Sequence, residues 1–120
     1  MSTLSRLLGR QQEKRAENYL QAQGLATITR NYQCRQGEID LIMRDKDTLV
    51  FVEVRYRSNN RHGSAAESVD QRKQQKILHT ARHFLASHGE FQQMYCRFDV
   101  LAIDQANPSP FNWLKNAFVE

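Results

Sequence analysis

The segment 48–56, Thr-Leu-Val-Phe-Val-Glu-Val-Arg-Tyr, constrains the fold of this chain more than any other feature of the sequence. Its β-branched and aromatic residues favour a strand, and an unbroken apolar run, 49–52, lies near its start. Because neighbouring residues of a strand point to opposite faces, such a run has to be covered on both sides. We therefore expect a central strand in a layered fold, with Glu53 directly after the buried run.

Helices and strands are interspersed around this segment. Apolar residues at three- and four-residue steps predict two helices, and the stripe of the first includes Leu4, Leu7 and Leu8. We expect a single α/β domain of three layers, with a mixed sheet flanked by helices in the order α-β-β-β-α-β plus a C-terminal segment. The predicted elements are a helix over 4–23, strands over 26–34, 38–44 and 48–56, a helix over 68–88, a strand over 94–104, and a tail over 105–120 that follows a core of about 9–104.

Length and composition favour one globular protein. The 120 residues weigh 14.0 kDa, and 40% of them are hydrophobic and 25% charged, which is typical of a single globular domain. No apolar run approaches the roughly 20 residues that cross a bilayer, and the first residues lack the apolar stretch of a signal peptide. We therefore expect a cytoplasmic protein with no membrane partner.

Basic and acidic residues are segregated along the chain. Basic residues predominate over 1–37 and 55–83, whereas acidic residues predominate over 38–54 between them, and the net charge is +4. Basic flanks suit a polyanionic partner, because each neutralised phosphate releases counterions. A mildly basic, solvated surface would explain the same charges. Charge thus favours a nucleic acid without establishing one.

Two acids are expected to face each other on adjacent strands. If residues 46–47 form a two-residue turn, the register places Asp40 opposite Glu53. Directly opposed β-carbons lie about 4.5–5.5 Å apart, so the two carboxylates would repel unless a cation lay between them. Carboxylate oxygens suit Mg²⁺ or Mn²⁺. The same register places Glu38 opposite Arg55, most simply as a cross-strand ion pair.

The residues leave alternatives open. Without a metal, Asp40 would pair with a basic side chain elsewhere and Glu53 would lie at the sheet edge. A one-residue slip would place the two acids on opposite faces of the sheet. On the first helix, Glu13 lies on or beside the apolar stripe, where an acid needs a partner or a cation. Glu17 lies only about 40° away around that helix, so either acid could face inward.

Three motifs resemble those of a known family: Gly-Glu-Ile-Asp-Leu-Ile (37–42), Val-Phe-Val-Glu-Val-Arg-Tyr-Arg (50–57) and Cys-Arg-Phe-Asp-Val-Leu-Ala (96–102). In their order and spacing, over residues 9–104, they resemble the YraN-like family of small bacterial proteins. That family is similar to the restriction-endonuclease-like PD-(D/E)xK nucleases, especially the archaeal Holliday-junction resolvases. The resemblance implies one nuclease-like domain over 1–120.

The resemblance also implies a nuclease site. Asp40, Glu53 and the backbone of Val54 would hold Mg²⁺ or Mn²⁺, which would activate a water for attack on a phosphodiester. Glu13 would complete the ligand shell directly or through water, and Arg55 and Lys73 would join the catalytic group. The loop after the third strand adds basic residues near this site, although simple solvent exposure explains them slightly better. The expected nucleic-acid contacts are Arg55, Arg57, Arg61, Gln71, Lys73 and Lys76.

Arg55 departs from the nuclease pattern, which has lysine at this position. Arginine stays charged and does not take up a proton, although it binds a phosphate through two hydrogen bonds. Three interpretations follow from this difference. Arg55 acts electrostatically in a slower nuclease, Lys73 or Lys76 supplies the ammonium group, or the site binds nucleic acid and metal without cutting.

We therefore expect a nucleic-acid-binding protein that acts as a metal-dependent endonuclease, with DNA as partner and branched DNA as a candidate substrate. The alternative is a catalytically degenerate nuclease fold that serves as a non-cutting binding or adaptor module. A third hypothesis is a protein-interaction domain that never meets nucleic acid. Junction-type enzymes of the wider fold act as dimers, so the resemblance also implies a homodimer.

Overall fold

A five-stranded mixed sheet with one helix on each face forms the body of the molecule. The computed structural model describes residues 3–57 and 69–119. The expected three-layer α/β architecture is confirmed. The elements in chain order are α1 (Thr3–Ala22), β1 (Ala26–Cys34), β2 (Gly37–Asp45), β3 (Thr48–Arg57), α2 (Gln71–Ser87), a short 3-10 helix (Gly89–Phe91), β4 (Tyr95–Asp104) and β5 (Phe111–Phe118).

β3 lies at the centre of the sheet, as its apolar run predicts. The strands follow the order β1-β2-β3-β4-β5, in which β3 and β4 are parallel and all other neighbours are antiparallel. Residues 49–52 are at most 1% exposed. Leu49 and Phe51 pack in the core on the α2 side, and Val50 and Val52 pack on the α1 side. The sheet is therefore covered on both faces.

Asp70 sets the start of α2. Its side chain accepts a hydrogen bond of 2.9 Å from the backbone amide of Lys73, which makes it the N-cap. The helix therefore begins at Gln71, later than the expected residue 68, which lies outside the described residues. The buried apolar residues of α2 face the sheet at the predicted helical spacing: Ile77, Leu78, Ala81 and Phe84.

α1 is buried only in its C-terminal half, contrary to part of the predicted stripe. Ala16 and Leu20 are completely buried in the core. Leu4, Leu7 and Leu8 are 76%, 56% and 45% exposed. The prediction is wrong for these leucines because the apolar period continues beyond the part of the helix that packs on the sheet. Despite them, no helix in the described part of the chain is long and apolar enough to cross a bilayer.

The segment expected as a C-terminal tail contains the strand β5. Phe118 stacks on Phe98 of β4 with ring centroids 5.2 Å apart, and Nε1 of Trp113 donates a hydrogen bond of 2.9 Å to Asp99. Asp99 is fully buried and also accepts a hydrogen bond from the backbone amide of Asn116. The prediction of a tail is wrong because the two prolines precede the strand and leave its amides available for pairing.

Candidate active site

The β2–β3 hairpin has the register expected from a two-residue turn. Residues 41–45 pair with residues 48–52, so the predicted register is confirmed. Lys46 in the turn has a φ of 58°, a left-handed conformation typical of tight hairpin turns. Asp40 and Glu53 follow directly at the open end of the hairpin. The register therefore brings the two acids to the same place.

Pairing between β2 and β3 ends just before these acids. The backbone amide of Val54 donates a hydrogen bond of 2.8 Å to Oδ2 of Asp40. Side-chain directions along β2 shift at the same point, because Ile39 and Ile42 both pack on the α2 side and Leu41 packs on the α1 side. The carboxylate of Asp40 thus accepts a hydrogen bond from β3 at the point where the β2–β3 ladder stops. This leaves space beside Asp40 and Glu53.

A cavity of about 340 Å³ occupies this space. Residues of α1, β2, β3 and α2 form its walls. The structure therefore gathers side chains from four elements, from Leu8 on α1 to Lys73 on α2. All the residues predicted to be catalytic or to bind metal line the cavity: Glu13, Asp40, Glu53, Val54, Arg55 and Lys73.

Glu53 has cations beside only one of its two carboxylate oxygens. Its side chain is 5% exposed, and Oε2 lies 3.3 Å from Nζ of Lys73 and 3.6 Å from Nη2 of Arg55. Oε1 is buried and has no hydrogen-bond partner among the described residues. A buried carboxylate oxygen without a partner is unfavourable. A cation held together with Asp40 would satisfy it.

The expected ion pair between Glu38 and Arg55 does not form. Arg55 pairs with Glu53 of its own strand, and Glu38 accepts a hydrogen bond of 3.3 Å from Gln33 of β1. The prediction is wrong because β2–β3 pairing ends before it reaches these positions. Nε of Arg55 is buried without a hydrogen-bond partner in the described part of the chain. The guanidinium therefore retains an N–H group that could donate a hydrogen bond to a phosphate oxygen.

The pKa of Asp40 is raised well above its usual range. Burial is the largest cause, the neighbouring carboxylate of Glu53 adds to it, and the hydrogen bond from Val54 opposes it. Two adjacent carboxylates do not ionise together easily, so the raised pKa of Asp40 favours its protonated form when no cation is present. A divalent cation would take the place of that proton.

The first helix presents Glu13 to the cavity and Glu17 to a different set of partners. Oε1 of Glu13 accepts a hydrogen bond of 2.8 Å from Asn31, and the pKa of Glu13 is raised by burial and by the charge of Asp40. Glu17 is 1% exposed and lies 2.6 Å from Nη2 of Arg30. Of the two acids left open by the sequence, Glu13 therefore lines the cavity with Asp40 and Glu53, whereas Glu17 does not.

Asn31 is a residue of this region that the sequence did not single out. It lies within β1 with a φ of 50°, a conformation that asparagine tolerates better than most residues, and it connects β1 to Glu13 of α1. Asparagine is depleted in strands, so its place inside a predicted strand was the available signal.

The other predicted nucleic-acid contacts are distributed around the site. Lys76 lines a neighbouring cavity of about 400 Å³ together with Arg55. Gln71 is exposed at the start of α2, and Arg57 ends β3; neither lines these two cavities. Arg61 lies outside the described residues. Their contacts with a nucleic acid stay predictions.

The donor set for a cation is small. Within residues 3–57 and 69–119, no group of three or more His, Cys, Asp or Glu side chains is arranged to hold a metal ion. A cation would therefore rest on the carboxylates of Asp40 and Glu53 and on the carbonyl of Val54. Glu13 accepts a hydrogen bond from Asn31 and lies close enough to Asp40 for the charge of Asp40 to raise its pKa.

Comparison with known proteins identifies the family. A family described as "Uncharacterised protein family UPF0102" matches residues 12–103. The chain belongs to this family. The matched region contains all six residues that the predicted site shares with the cavity, and the resemblance to YraN-like proteins is confirmed.

Relatives within the family cover nearly the whole chain. A UPF0102 protein of Alcanivorax borkumensis is 50% identical over 112 residues, which are 92% of this chain and 90% of the relative. One from Aeromonas hydrophila is 54% identical over 112 residues, 92% of this chain and 83% of the relative. One from Psychromonas ingrahamii is 52% identical over 108 residues, 90% of this chain and 86% of the relative.

Proposed function

We propose that this UPF0102 protein is a metal-dependent endonuclease of restriction-endonuclease-like fold that binds and cuts nucleic acid, with DNA as its partner. The observation that carries the proposal is the juxtaposition of Asp40 and Glu53, where Oε1 of Glu53 is buried with no hydrogen-bond partner among the described residues. Such a pair is unfavourable unless a cation lies with it. A surface that only bound nucleic acid would gain nothing from opposed acids.

The order of the elements supports the proposal. In the resemblance, a helix acid, a second-strand aspartate and a third-strand glutamate form the site. Here α1 carries Glu13, β2 carries Asp40 and β3 carries Glu53, and all three line one cavity. The parallel strand β4 follows β3 through α2, which gives the mixed sheet that the resemblance implies.

Asp40, Glu53 and the carbonyl oxygen of Val54 are the groups that would hold Mg²⁺ or Mn²⁺. The bound ion would supply an activated water and stabilise the negative charge that develops on the phosphate. Lys73 places an ammonium group 3.3 Å from Glu53, where it can donate to a phosphate oxygen or transfer a proton. Arg55 would hold a phosphate oxygen through its unoccupied Nε.

Lys73 favours one of the three interpretations of Arg55. The helix α2 brings a lysine to within 3.3 Å of Glu53, whereas the nuclease pattern carries its lysine on the third strand. Lys76, the other helix lysine considered, lines the neighbouring cavity. Lys73 is therefore the residue we assign to supply the ammonium group, and Arg55 to bind phosphate.

A non-cutting binding or adaptor module is the second candidate. It is favoured by the ion pairs that Lys73 and Arg55 make with Glu53, because they partly neutralise the site without any metal. In that case the cavity would bind a phosphate backbone through its cations.

The deciding experiment is a cleavage assay in Mg²⁺ and Mn²⁺ on single-stranded, duplex, flapped and four-way-junction DNA and on RNA. Wild type is compared with Glu53→Ala and with Asp47→Asn, which changes an exposed acid at the turn of the same hairpin. We expect wild type and the Asp47 variant to cut at least one substrate and the Glu53 variant to cut none. Equal cutting by all three proteins would mean that the activity comes from another site or from a contaminant. Salt-sensitive binding without cutting would favour the binding or adaptor module.

Location and oligomeric state belong to the same proposal. The sequence predicts a cytoplasmic protein, and the resemblance implies a homodimer. Cell fractionation tests the first expectation, and light scattering on the purified chain tests the second.

A further inference from the structure

Three adjoining cavities form one groove across the candidate site. The central cavity shares Arg55 and Lys73 with the cavity of about 400 Å³ at the start of α2. It shares Gly9 and Glu13 with a cavity of about 380 Å³ beside the N-terminal half of α1. The acid pair therefore lies between two recesses, one bordered by each helix.

The recess at α2 is basic. Arg72 and Lys76 line it and are four residues apart, so they lie on one face of the helix. Neither side chain makes a hydrogen bond or ion pair within the described residues. The acid that borders the recess, Asp70, is engaged as the N-cap of α2. Two positive charges therefore have no partner among the described residues and could bind an external anion.

The recess at α1 carries a second pair of cations. Arg6 and Arg10 line it, again four residues apart, and both are exposed. No hydrogen bond or ion pair holds either side chain in the part of the chain that the structure describes. In contrast, Lys14 and Arg30 lie against Glu17. Arg15 is held by Gln12 and Gln105. The two cations of α1 that have no partner among the described residues therefore lie at the groove.

The acids at the α1 recess already have partners. Glu13 accepts a hydrogen bond from Asn31, and Glu38 accepts one from Gln33. Neither forms an ion pair with Arg6 or Arg10 across the residues described. Both ends of the groove therefore offer cations to a ligand, and the acid pair lies between them.

We propose, building on the proposed function, that one nucleic-acid strand runs along the whole groove. Arg6 and Arg10 bind its phosphates on the opposite side of the acid pair from Arg72 and Lys76. Each recess suits phosphates because neutralising them releases counterions. The substrate class is a strand with an internal phosphodiester at the acid pair and phosphates in both directions. A terminal phosphodiester would leave one recess empty.

The first test measures how salt weakens binding of a labelled single-stranded oligonucleotide, by fluorescence anisotropy in Ca²⁺. Each groove variant should lower the slope of log K against log salt concentration by about 1.4, which is two phosphate contacts on a single strand. The control removes the same charge at the hairpin turn and should leave the slope unchanged. The double variants are Arg6→Gln with Arg10→Gln, Arg72→Gln with Lys76→Gln, and the control Arg44→Gln with Lys46→Gln.

The second test replaces phosphates by neutral methylphosphonates on one side of the central position of the oligonucleotide. We expect weaker binding with the replacement on either side, because each recess loses its ligand. If the variant of Arg6 and Arg10 keeps the wild-type slope, or if only one side of the oligonucleotide matters, the proposal is overturned.

The outcomes separate this proposal from the proposed function. If cleavage depends on Glu53 but the α1 variant keeps the wild-type salt slope, the proposed nuclease activity is supported. The proposed phosphate binding by Arg6 and Arg10 is then rejected. If both groove variants lower the salt dependence of binding but wild type cuts no substrate, the groove is supported and catalysis is rejected. No salt-sensitive binding by wild type would overturn the groove.

Discussion

Nζ of Lys73 on α2 lies 3.3 Å from Oε2 of Glu53 on β3, whereas Oε1 of the same carboxylate is buried without a hydrogen-bond partner among the described residues. The helix thus satisfies one oxygen of the acid and leaves the other directed to the ligand that Asp40 would share. The two oxygens have different roles in the proposed site, and substitutions at Lys73 and Asp40 separate them.

Substitution of Lys73 should reduce cleavage more than substitution of Arg55. Lys73→Ala removes the ammonium group beside Glu53, and we expect a loss in cleavage rate of at least roughly 100-fold, the usual range for a positioned proton donor. Arg55→Lys retains a positive charge and should cost less. Single-turnover cleavage of the best substrate measures both, with Lys46→Gln as the exposed control. A larger loss for Arg55→Lys than for Lys73→Ala would reverse the roles assigned to the two cations.

Asp40→Asn should stabilise the metal-free protein at neutral pH. Because burial and Glu53 raise the pKa of Asp40, its contribution to stability is present below its ordinary pKa of 3.8 and is lost as the pH rises through the raised value. The asparagine carries no charge and still accepts from Val54. Thermal unfolding in a chelator should show the advantage of the variant shrinking toward acid pH.

A divalent metal ion should make wild type more stable than Asp40→Asn, the reverse of the order expected in a chelator. A divalent ion at 100 times its dissociation constant stabilises a folded protein by about 2.7 kcal/mol. We expect Mg²⁺ or Mn²⁺ to raise the melting temperature of wild type and of the Asp47→Asn control, and to leave Asp40→Asn unchanged. A metal-induced shift of equal size in Asp40→Asn would show that the cation binds elsewhere.

Glu17→Ala should destabilise the fold without removing cleavage at permissive temperature. Burial alone would raise the pKa of Glu17, but hydrogen bonds from Arg30 and Thr27 outweigh it and lower the pKa below 4.5. The stabilisation is therefore present above pH 4.5 and is lost as the pH falls through the lowered value. Urea unfolding should give a loss of about 2 kcal/mol at neutral pH. The exposed Glu90→Ala should be neutral.

Asp99→Ala should loosen the attachment of β5. Asp99 is completely buried and accepts hydrogen bonds from Arg97, Trp113 and Asn116. Its removal leaves Arg97 paired only with the partly exposed Asp45, 3.1 Å away. We expect a loss of about 3–5 kcal/mol in unfolding free energy. Trp113→Phe removes one of these bonds and should cost about 1 kcal/mol. Equal losses from the two changes would mean that packing of the indole, and not the buried acid, holds the strand.

The sequence was sufficient to predict that the two acids are neighbours. A short turn fixes the register of a hairpin, and the alternation of side chains along a strand fixes which residues share a face. Asp40 and Glu53 were therefore predicted correctly as neighbours, and the apolar run of β3 predicted the centre of the sheet. Glu13 and Glu17 could not be separated in this way, because they lie only about 40° apart around α1. Their partners on β1, Asn31 and Arg30, distinguish them only in the folded structure.

Other features depended on tertiary contacts with no local sequence signal. The ion pair expected between Glu38 and Arg55 fails because the Asp40 side chain takes the Val54 amide and ends the ladder. The exposed leucines of α1 have the same spacing as its buried residues, so periodicity cannot show where the sheet ends beneath a helix. β5 is held by the buried carboxylate of Asp99, which a short strand after two prolines does not reveal.

β3 remains paired with β4 along its entire length, from Thr48 beside Tyr95 to Arg57 beside Asp104, even where β2 has left it. Beyond the hairpin ladder, the strand that carries Glu53 has no partner strand on one edge among the described residues and is hydrogen-bonded to β4 on the other. Amides of β3 directed toward β4 should exchange with solvent as slowly beyond the end of the hairpin ladder as before it. Binding at the cavity then requires little ordering of backbone, so the conformational entropy that a ligand would otherwise have to overcome is already lost during folding.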